Sequence, residues 1–329
     1  MSRLHLSFAC WNYDRTRALK DGSVEVDGID LNYLDLPVEE TFFRMARFRE
    51  FDLAEMSLSS YCVSLHRPER PFVALPIFPS RFFRHSCIYV NAAAGIREPL
   101  DLIGKRIASP EYQMTAPVWI RGILAEHHGV PVEGDYLFGG EEQTGRVEKM
   151  KIELPPSIRV RPIGPTQTLS SMLRDGHIDA LYTARMPSSF RSGDGKVRRL
   201  FENYAEIELA YWRKTGIFPI MHTVVMRREV YEANRWIAQS LTKAFIAAQR
   251  RTYDDLAETA ALKAMLPWLN AHVEEARREM GEDWWPYGVE KNRKTLDTFT
   301  RYHFEQGLSA RKLDVEELFA PESLESFRI

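Results

Sequence analysis

The chain has 329 residues, enough for two domains or one large one, and its 44% hydrophobic and 27% charged composition is that of an ordinary globular protein. A formal net charge of −2 gives no overall field to draw in nucleic acid or an anionic membrane, and no apolar run approaches the roughly 20 residues that span a bilayer. The N-terminal stretch lacks the apolar core of a secretory signal, and Cys10, Cys62 and Cys87, scattered and without Cys-x-x-Cys spacing, read as free thiols; both features point to the cytoplasm.

Residues 4–9 alternate like a half-exposed strand, and Asn12 or Asp14 can cap a helix after them. A turn at 22–28 leads to a second strand at 29–36. Residues 37–50 carry Val38, Phe42, Phe43, Met45 and Ala46 at helical spacing, and 51–57 read as a buried strand emptying into a polar loop at 57–61. Arg81, Arg84 and His85 then stand just before Ser-Cys-Ile-Tyr-Val (86–90), a run that predicts another buried strand. Two guanidiniums and an imidazole beside a strand end suit a small anion, because Arg offers a planar fork to a carboxylate. The competing reading is a solvated basic loop, or Arg stems packed on Phe82 and Phe83.

The same plan returns further on. Residues 104–109 read as a strand, 110–115 as a loop and 116–127 as a helix with Val118, Ile120 and Leu124 on its apolar face. The polar, irregular 139–158 reads as an insertion able to serve as a lid. A helix at 168–175 leads into Ile-Asp-Ala-Leu (178–181), which matches Phe-Asp-Leu-Ala (51–54) in type and position. Two such halves predict two similar α/β lobes facing one another, 1–88 with 213–329 and 89–212. A turn lies at 192–196 and a strand at 220–226 carries the chain back; helices are expected at 236–247, 255–265 and 288–306, with Trp-Trp-Pro-Tyr (284–287) packed between them.

Asp-Leu-Ile-Gly-Lys-Arg-Ile-Ala (101–108) and Leu-Arg-Asp-Gly-His-Ile-Asp-Ala-Leu (173–181) resemble signatures of the type 2 periplasmic-binding-protein fold, in which two lobes close on a small ligand. Asn-Tyr-Asp-Arg-Thr-Arg (12–17), Glu-Met-Ser-Leu-Ser-Ser-Tyr (55–61) and Phe-Pro-Ser-Arg-Phe-Phe-Arg-His-Ser (78–86) resemble the 4,5-dihydroxyphthalate decarboxylase family more narrowly. So do Pro-Glu-Tyr-Gln-Met-Thr-Ala (110–116), Gly-Gly-Glu-Glu (139–142), Pro-Ile-Met-His (219–222) and Pro-Tyr-Gly-Val-Glu-Lys-Asn-Arg (286–293).

The resemblance implies loss of CO2 from a dihydroxylated benzene dicarboxylate, driven by the hydroxyl para to the departing group. That chemistry needs cationic anchors, an acceptor for the hydroxyl proton and a proton donor, with no electron-sink cofactor. It places Asp14, Arg15, Ser57, Ser59, Tyr61, Gln113 and Thr115 around one cleft, with Arg15, Arg81, Arg84 and Arg121 as anchors and Glu55 among the binding groups. Any of the four Arg can instead serve an internal ion pair. His85 is the leading donor, His222 the second, although His222 also reads as a satisfied core histidine. Glu141 and Glu142 are the candidate acceptors, against the alternative of a solvated carboxylate pair, and Tyr61, Tyr112 and Trp119 can flank the ring or simply pack. A divalent metal on His85, His222, Glu55 and Glu141 is the minority alternative, since no His-x-x-x-His or Glu-x-x-His spacing supports it. A binding protein that holds an aromatic acid without transforming it, or another enzyme on the same fold, remains open. The expected partner is a small aromatic carboxylate, with a homo-oligomer possible and neither nucleic acid nor membrane involved.

Overall fold

The structure, a computed structural model, describes residues 3–324. Among these residues the first lobe is built on a five-stranded sheet. Strands β1 (Leu4–Cys10) and β2 (Ile29–Asp35) run parallel and are joined through α1 (Asp14–Lys20). Helix α2 (Val38–Phe48) leads into β3 (Leu53–Ser57), which pairs parallel to β1 on its other edge. Helix α3 (Leu58–Ser64) follows without a gap, and β4 (Phe72–Arg81) forms the far edge.

The chain then builds a six-stranded sheet from β5 (Ile88–Asn91), β6 (Ile107–Ser109), β7 (Gly134–Phe138), β8 (Ile158–Pro162), β9 (Ala180–Tyr182) and β10 (Val197–Arg199). Helices α4 (Thr115–His128), α5 (Leu169–Arg174), α6 (Ser188–Arg191) and α7 (Tyr204–Thr215) intervene. Strand β11 (Ile220–Arg227) returns to the first sheet, between β3 and β4, and α8 (Arg228–Ala233), α9 (Ile237–Ala257), α10 (Leu269–Met280) and α11 (Arg293–Glu305) complete the chain. The sheet orders are β2-β1-β3-β11-β4 and β8-β7-β6-β9-β5-β10, so β7-β6-β9-β5-β10 repeats the plan of the first lobe with one strand added. In the first sheet β11 runs against the other four strands, and in the second β5 runs against the other five. This is the predicted two-lobed α/β architecture.

The two matched Asp residues do matching work. Asp52 Oδ2 accepts the Ser7 backbone N–H at 2.8 Å, and Asp179 Oδ2 accepts that of Arg106 at 2.8 Å, each tying the start of its strand to the neighbouring one. Both also hold an Arg, Arg227 and Arg106 at 2.7 Å. The sequence signal was therefore a structural device and not a ligand site.

Three elements differ from expectation. Residues 58–64 are a fully buried helix and not a polar loop, because the Ser57 hydroxyl accepts the Ser60 N–H and starts it. Strand β4 contains Pro76 and Pro79, which mask it in the sequence; an edge strand tolerates them because one side of its ladder is unpaired. Helix α9 runs unbroken over 21 residues, and 258–268 is irregular where a separate helix had been expected. Among the described residues no helix is long and apolar enough to cross a membrane.

Helix α4 belongs to the second lobe by connection yet touches both. Its Trp119 Nε1–H donates to the Ile220 carbonyl of β11 at 2.9 Å, and Trp119 packs on Phe299 and Tyr302 of α11. Gly122 lets α11 lie this close, since a Cβ there would stand 2.1 Å from the Tyr302 ring. Gly122→Ala is expected to lower stability by about 1–3 kcal/mol through overpacking, less about 1 kcal/mol recovered in helix propensity. A rise in thermal midpoint would show that the helices separate freely.

Candidate active site

The cleft opens at the carboxyl ends of the parallel strands of both sheets, where open α/β sheets place ligands. It contains a cavity of about 270 Å³ on the first lobe's side and one of about 880 Å³ on the second lobe's side. The two share Glu39, Met114, Ala184 and Arg185.

The floor of the smaller cavity is a carboxylate–imidazole pair. Glu55, on the fully buried β3, is closed off from solvent, and His222 of β11 lies across from Ser57 in the antiparallel ladder. The pairing of β11 with β4 slips on both sides of His222, a bulge that aims this side chain into the cleft. His222 Nδ1 meets Glu55 Oε1 at 2.6 Å. Glu55 also accepts the Tyr13 hydroxyl at 2.7 Å and the Trp11 N–H at 3.2 Å. Burial alone would raise this carboxyl, but His222, Tyr13 and the Trp11 N–H outweigh it and hold it below its ordinary range. A carboxylate on Nδ1 fixes the Nδ1–H tautomer and leaves Nε2, without a partner among the described residues, to the cavity. Phe42 stands edge-on to the imidazole at 4.8 Å and limits its rotation.

Arg84 supplies a cation to the same cavity. It is buried, yet its contacts are weak acceptors: Met221 Sδ at 3.0 Å, Cys87 Sγ at 3.5 Å and the Ala184 carbonyl at 3.4 Å. With no carboxylate on it among the described residues and Nη2 left over, the fork suits a ligand carboxylate. Opposite, the Ser57 and Thr115 hydroxyls meet at 2.8 Å across the lobes. Thr115 begins α4, whose first turn has no side-chain cap and contains Pro117, so the Thr115 and Ala116 N–H groups face the cleft unpaired within the helix.

A buried ion network forms the rim. Glu111, completely buried, accepts Arg146 at 2.5 Å and Lys149. Arg146 reaches across to Glu39 of α2 at 2.6 Å and Lys149 to the same carboxylate at 3.5 Å, so 139–158 is bound to the first lobe. Burial would lift Glu39, but Lys149, Arg146 and Arg185 outweigh it and hold it below the ordinary range.

On the second lobe's side Glu141 and Glu142 follow a turn that only glycine allows, since a Cβ on Gly140 would fall 1.5 Å from the Gln143 carbonyl oxygen. Glu142 turns outward and accepts the N–H and hydroxyl of Ser188, both at 2.6 Å. Glu141 turns inward; its Oε2 accepts the Thr183 hydroxyl at 2.5 Å, and its buried Oε1 has no partner among the described residues. Burial pushes this carboxyl up to about 7 against the Thr183 hydrogen bond, and Glu142 adds to the rise.

Of the residues singled out in the sequence, Ser57, Arg84, Thr115 and His222 line the smaller cavity, Glu141 lines the larger, and Glu55 lies behind His222. The others are placed in packing. Arg81 donates to the carbonyls of Phe218 and Pro286 and to Asn292. Arg121 holds Gln306 Oε1 and the Tyr112 carbonyl, while the Tyr112 hydroxyl donates to the Gln306 carbonyl. Tyr61 reaches the Leu318 carbonyl, Gln113 donates to Glu148 and Met150, and Ser59 meets His303 Nε2 at 3.0 Å. Arg15, paired with Asp14 and stacked between Tyr13 and Trp285, donates to the Pro79 carbonyl. His85 sits in a one-turn 3-10 helix that rotates it away from the cleft against Phe201 and Tyr211; burial, with His128 and His127 adding, drops it to about 4. The structure thus separates the Arg81–Arg84–His85 cluster and leaves only Arg84 in the cleft. Among the described residues no group of three or more His, Cys, Asp or Glu side chains is gathered as a metal site, so His85, His222, Glu55 and Glu141 do not form one set.

Tyr13, Glu39, Lys149 and Arg185 were missed. Glu39 reads as an ordinary first-turn acid and Lys149 as one charge in a polar loop, and nothing in the sequence marks Arg185.

These features define a two-lobed binding-protein fold with titratable groups in its interlobe cleft. Solved structures agree on the fold: the periplasmic aliphatic sulphonate-binding protein SsuA of Escherichia coli is 14% identical with a TM-score of 0.52 (98% of this chain, 99% of that one). The alkanesulfonate-binding protein SsuA of Xanthomonas axonopodis pv. citri, bound to MOPS, is 12% identical with a TM-score of 0.51 (97% and 99%). Two curated 4,5-dihydroxyphthalate decarboxylases are far nearer in sequence. That of Comamonas testosteroni is 42% identical over 330 aligned positions, covering 100% of both chains, and that of Pseudomonas putida is 45% identical over 204, covering 62% of this chain and 79% of its own. The chain belongs to the 4,5-dihydroxyphthalate decarboxylase family. No protein-family model matches it.

Proposed function

We propose that the chain is a carboxy-lyase that converts 4,5-dihydroxyphthalate into protocatechuate and CO2 in the cytoplasm, its two lobes (1–88 with 213–329, and 89–212) closing on the substrate. The observation that carries this reading is the Glu55–His222 pair facing the uncommitted Arg84 fork in one cavity. Arg84 and the α4 N–H groups hold a carboxylate of the substrate. His222 Nε2 takes the proton of the hydroxyl para to the departing carboxylate, and Glu55 stabilises the resulting imidazolium. The phenoxide pushes an electron pair toward the ring carbon bearing that carboxylate, which accepts a proton. The C–C bond then breaks, its electrons restore the aromatic ring, CO2 departs, and His222 returns its proton to the oxygen. One proton is consumed overall, and the ring itself is the electron sink, so the reading calls for no cofactor.

Incubation with 4,5-dihydroxyphthalate should release one CO2 and one protocatechuate per substrate. Saturable binding with no CO2 would instead establish a non-catalytic aromatic-acid binder. Arg84→Met is expected to weaken substrate binding tenfold to hundredfold, the size of a lost charge-assisted contact of about 1.5–3 kcal/mol, with little change in thermal midpoint. A large fall in midpoint with unchanged binding would assign Arg84 to packing.

A further inference from the structure

We infer that Glu141 is the catalytic acid that protonates the ring carbon, acting from the second lobe across the substrate from His222. This rests on the decarboxylase reading and adds the group that reading leaves unassigned. The para hydroxyl and the carbon that loses CO2 stand at opposite ends of one ring, so the residue that takes the hydroxyl proton cannot also reach the carbon. The donor must come from the other side of the cleft. The two cavities meet along Glu39, Met114, Ala184 and Arg185, so a ring held by Arg84 and His222 presents its far end to the second lobe.

Among the acids of the described residues, Glu141 alone has a side-chain oxygen that is buried and without a partner. Its Oε1 is buried and unpartnered, while Thr183 holds Oε2 and sets the direction of the carboxyl. Glu142 is committed to Ser188, and Glu39 is kept ionised by Lys149, Arg146 and Arg185. Glu148, also pushed up to about 7 by burial and then by Glu111, spends both oxygens on the Tyr112 N–H and the Gln113 amide. His85 lies outside both cavities. The charged or titratable groups facing Glu141 are Glu142 on its own segment, Arg146, and Arg185 beyond β9, with Tyr89 on β5 also within its influence. Burial outweighs the cations, and the group stays protonated up to near neutrality. In the step itself the Oε1–H bond breaks, the proton bonds to the ring carbon, the C–CO2 bond yields its pair to the ring, and the carboxylate is reprotonated from solvent.

The test uses the full chain with 4,5-dihydroxyphthalate as substrate and phthalate, which lacks the driving hydroxyl, as an unreactive binding probe. Glu141→Gln should lower kcat about 100-fold or more, the usual size of a general-acid contribution, with phthalate binding and thermal midpoint near wild type. The acid must be protonated, so wild-type kcat should fall as pH rises through the Glu141 pKa, and that fall should vanish from the residual rate of Glu141→Gln. Thr183→Val removes a hydrogen bond that favours the ionised form, so it should raise the pKa and move the alkaline fall to higher pH. A Glu141→Gln rate within threefold of wild type, or an alkaline fall unmoved by Thr183→Val, overturns the assignment while leaving the decarboxylase reading intact. A wild type that releases no CO2 overturns both.

Discussion

His222→Gln is expected to lower kcat by about 100-fold or more while substrate still binds within a few-fold. Glutamine keeps much of the volume and can still reach Glu55, but it cannot accept and hold a proton at neutral pH. The partner variant sharpens the assignment. In Glu55→Gln the amide can donate to Nδ1, which favours the tautomer with its proton on Nε2 and removes the lone pair from the cavity. A loss comparable to that of His222→Gln, without addition in the double variant, would show that the two act as one unit. Tyr13→Phe is the control, because it removes one of the hydrogen bonds to Glu55 and leaves the imidazole contact in place. Near-normal turnover in His222→Gln would remove the base from this pair altogether.

How far this site could be read from the sequence depends on how local its parts are. The paired lobes were legible because Phe-Asp-Leu-Ala and Ile-Asp-Ala-Leu announce the same helix-to-strand junction, and each Asp ties its strand to the next. Glu55 and His222 were named as candidates, but nothing in a one-dimensional chain says that residues 167 positions apart meet; the antiparallel return of β11 onto β3 does that. Within 81–85 the opposite difficulty holds. The three basic residues are close in sequence, but the strand ends at Arg81 and a 3-10 turn begins at His85, so they leave the backbone in three directions. Arg81 goes to Asn292, Arg84 to the cleft and His85 to Tyr211. A run such as Phe-Pro-Ser-Arg-Phe-Phe-Arg-His has no periodicity from which those directions follow. Arg121 was mistaken for an anchor for a related reason: it sits on a helix whose N-terminus lines the cleft, yet its own turn faces α11 and Gln306.

Glu111→Ala is expected to be the most destabilising of these substitutions, by about 3–5 kcal/mol, because it leaves Lys149 and part of the Arg146 charge buried without compensation. Glu39 cannot replace it, since its carboxylate is 3.5 Å from the Lys149 ammonium and is shared with Arg146. The effect is read as a fall in the urea midpoint at constant m-value. Lys149→Met in the Glu111→Ala background should recover part of the loss, because the buried charge goes with its partner and Phe43, 4.9 Å from the ammonium, can pack on the thioether. A loss below about 1 kcal/mol would mean that 139–158 lifts away and lets the charges reach water. The rim would then be a movable flap, and Glu111 would govern closure of the cleft more than stability of the fold. Because Arg146 and Lys149 are bound to Glu39 of the other lobe, that outcome should also appear as weaker binding of phthalate with little change in thermal midpoint.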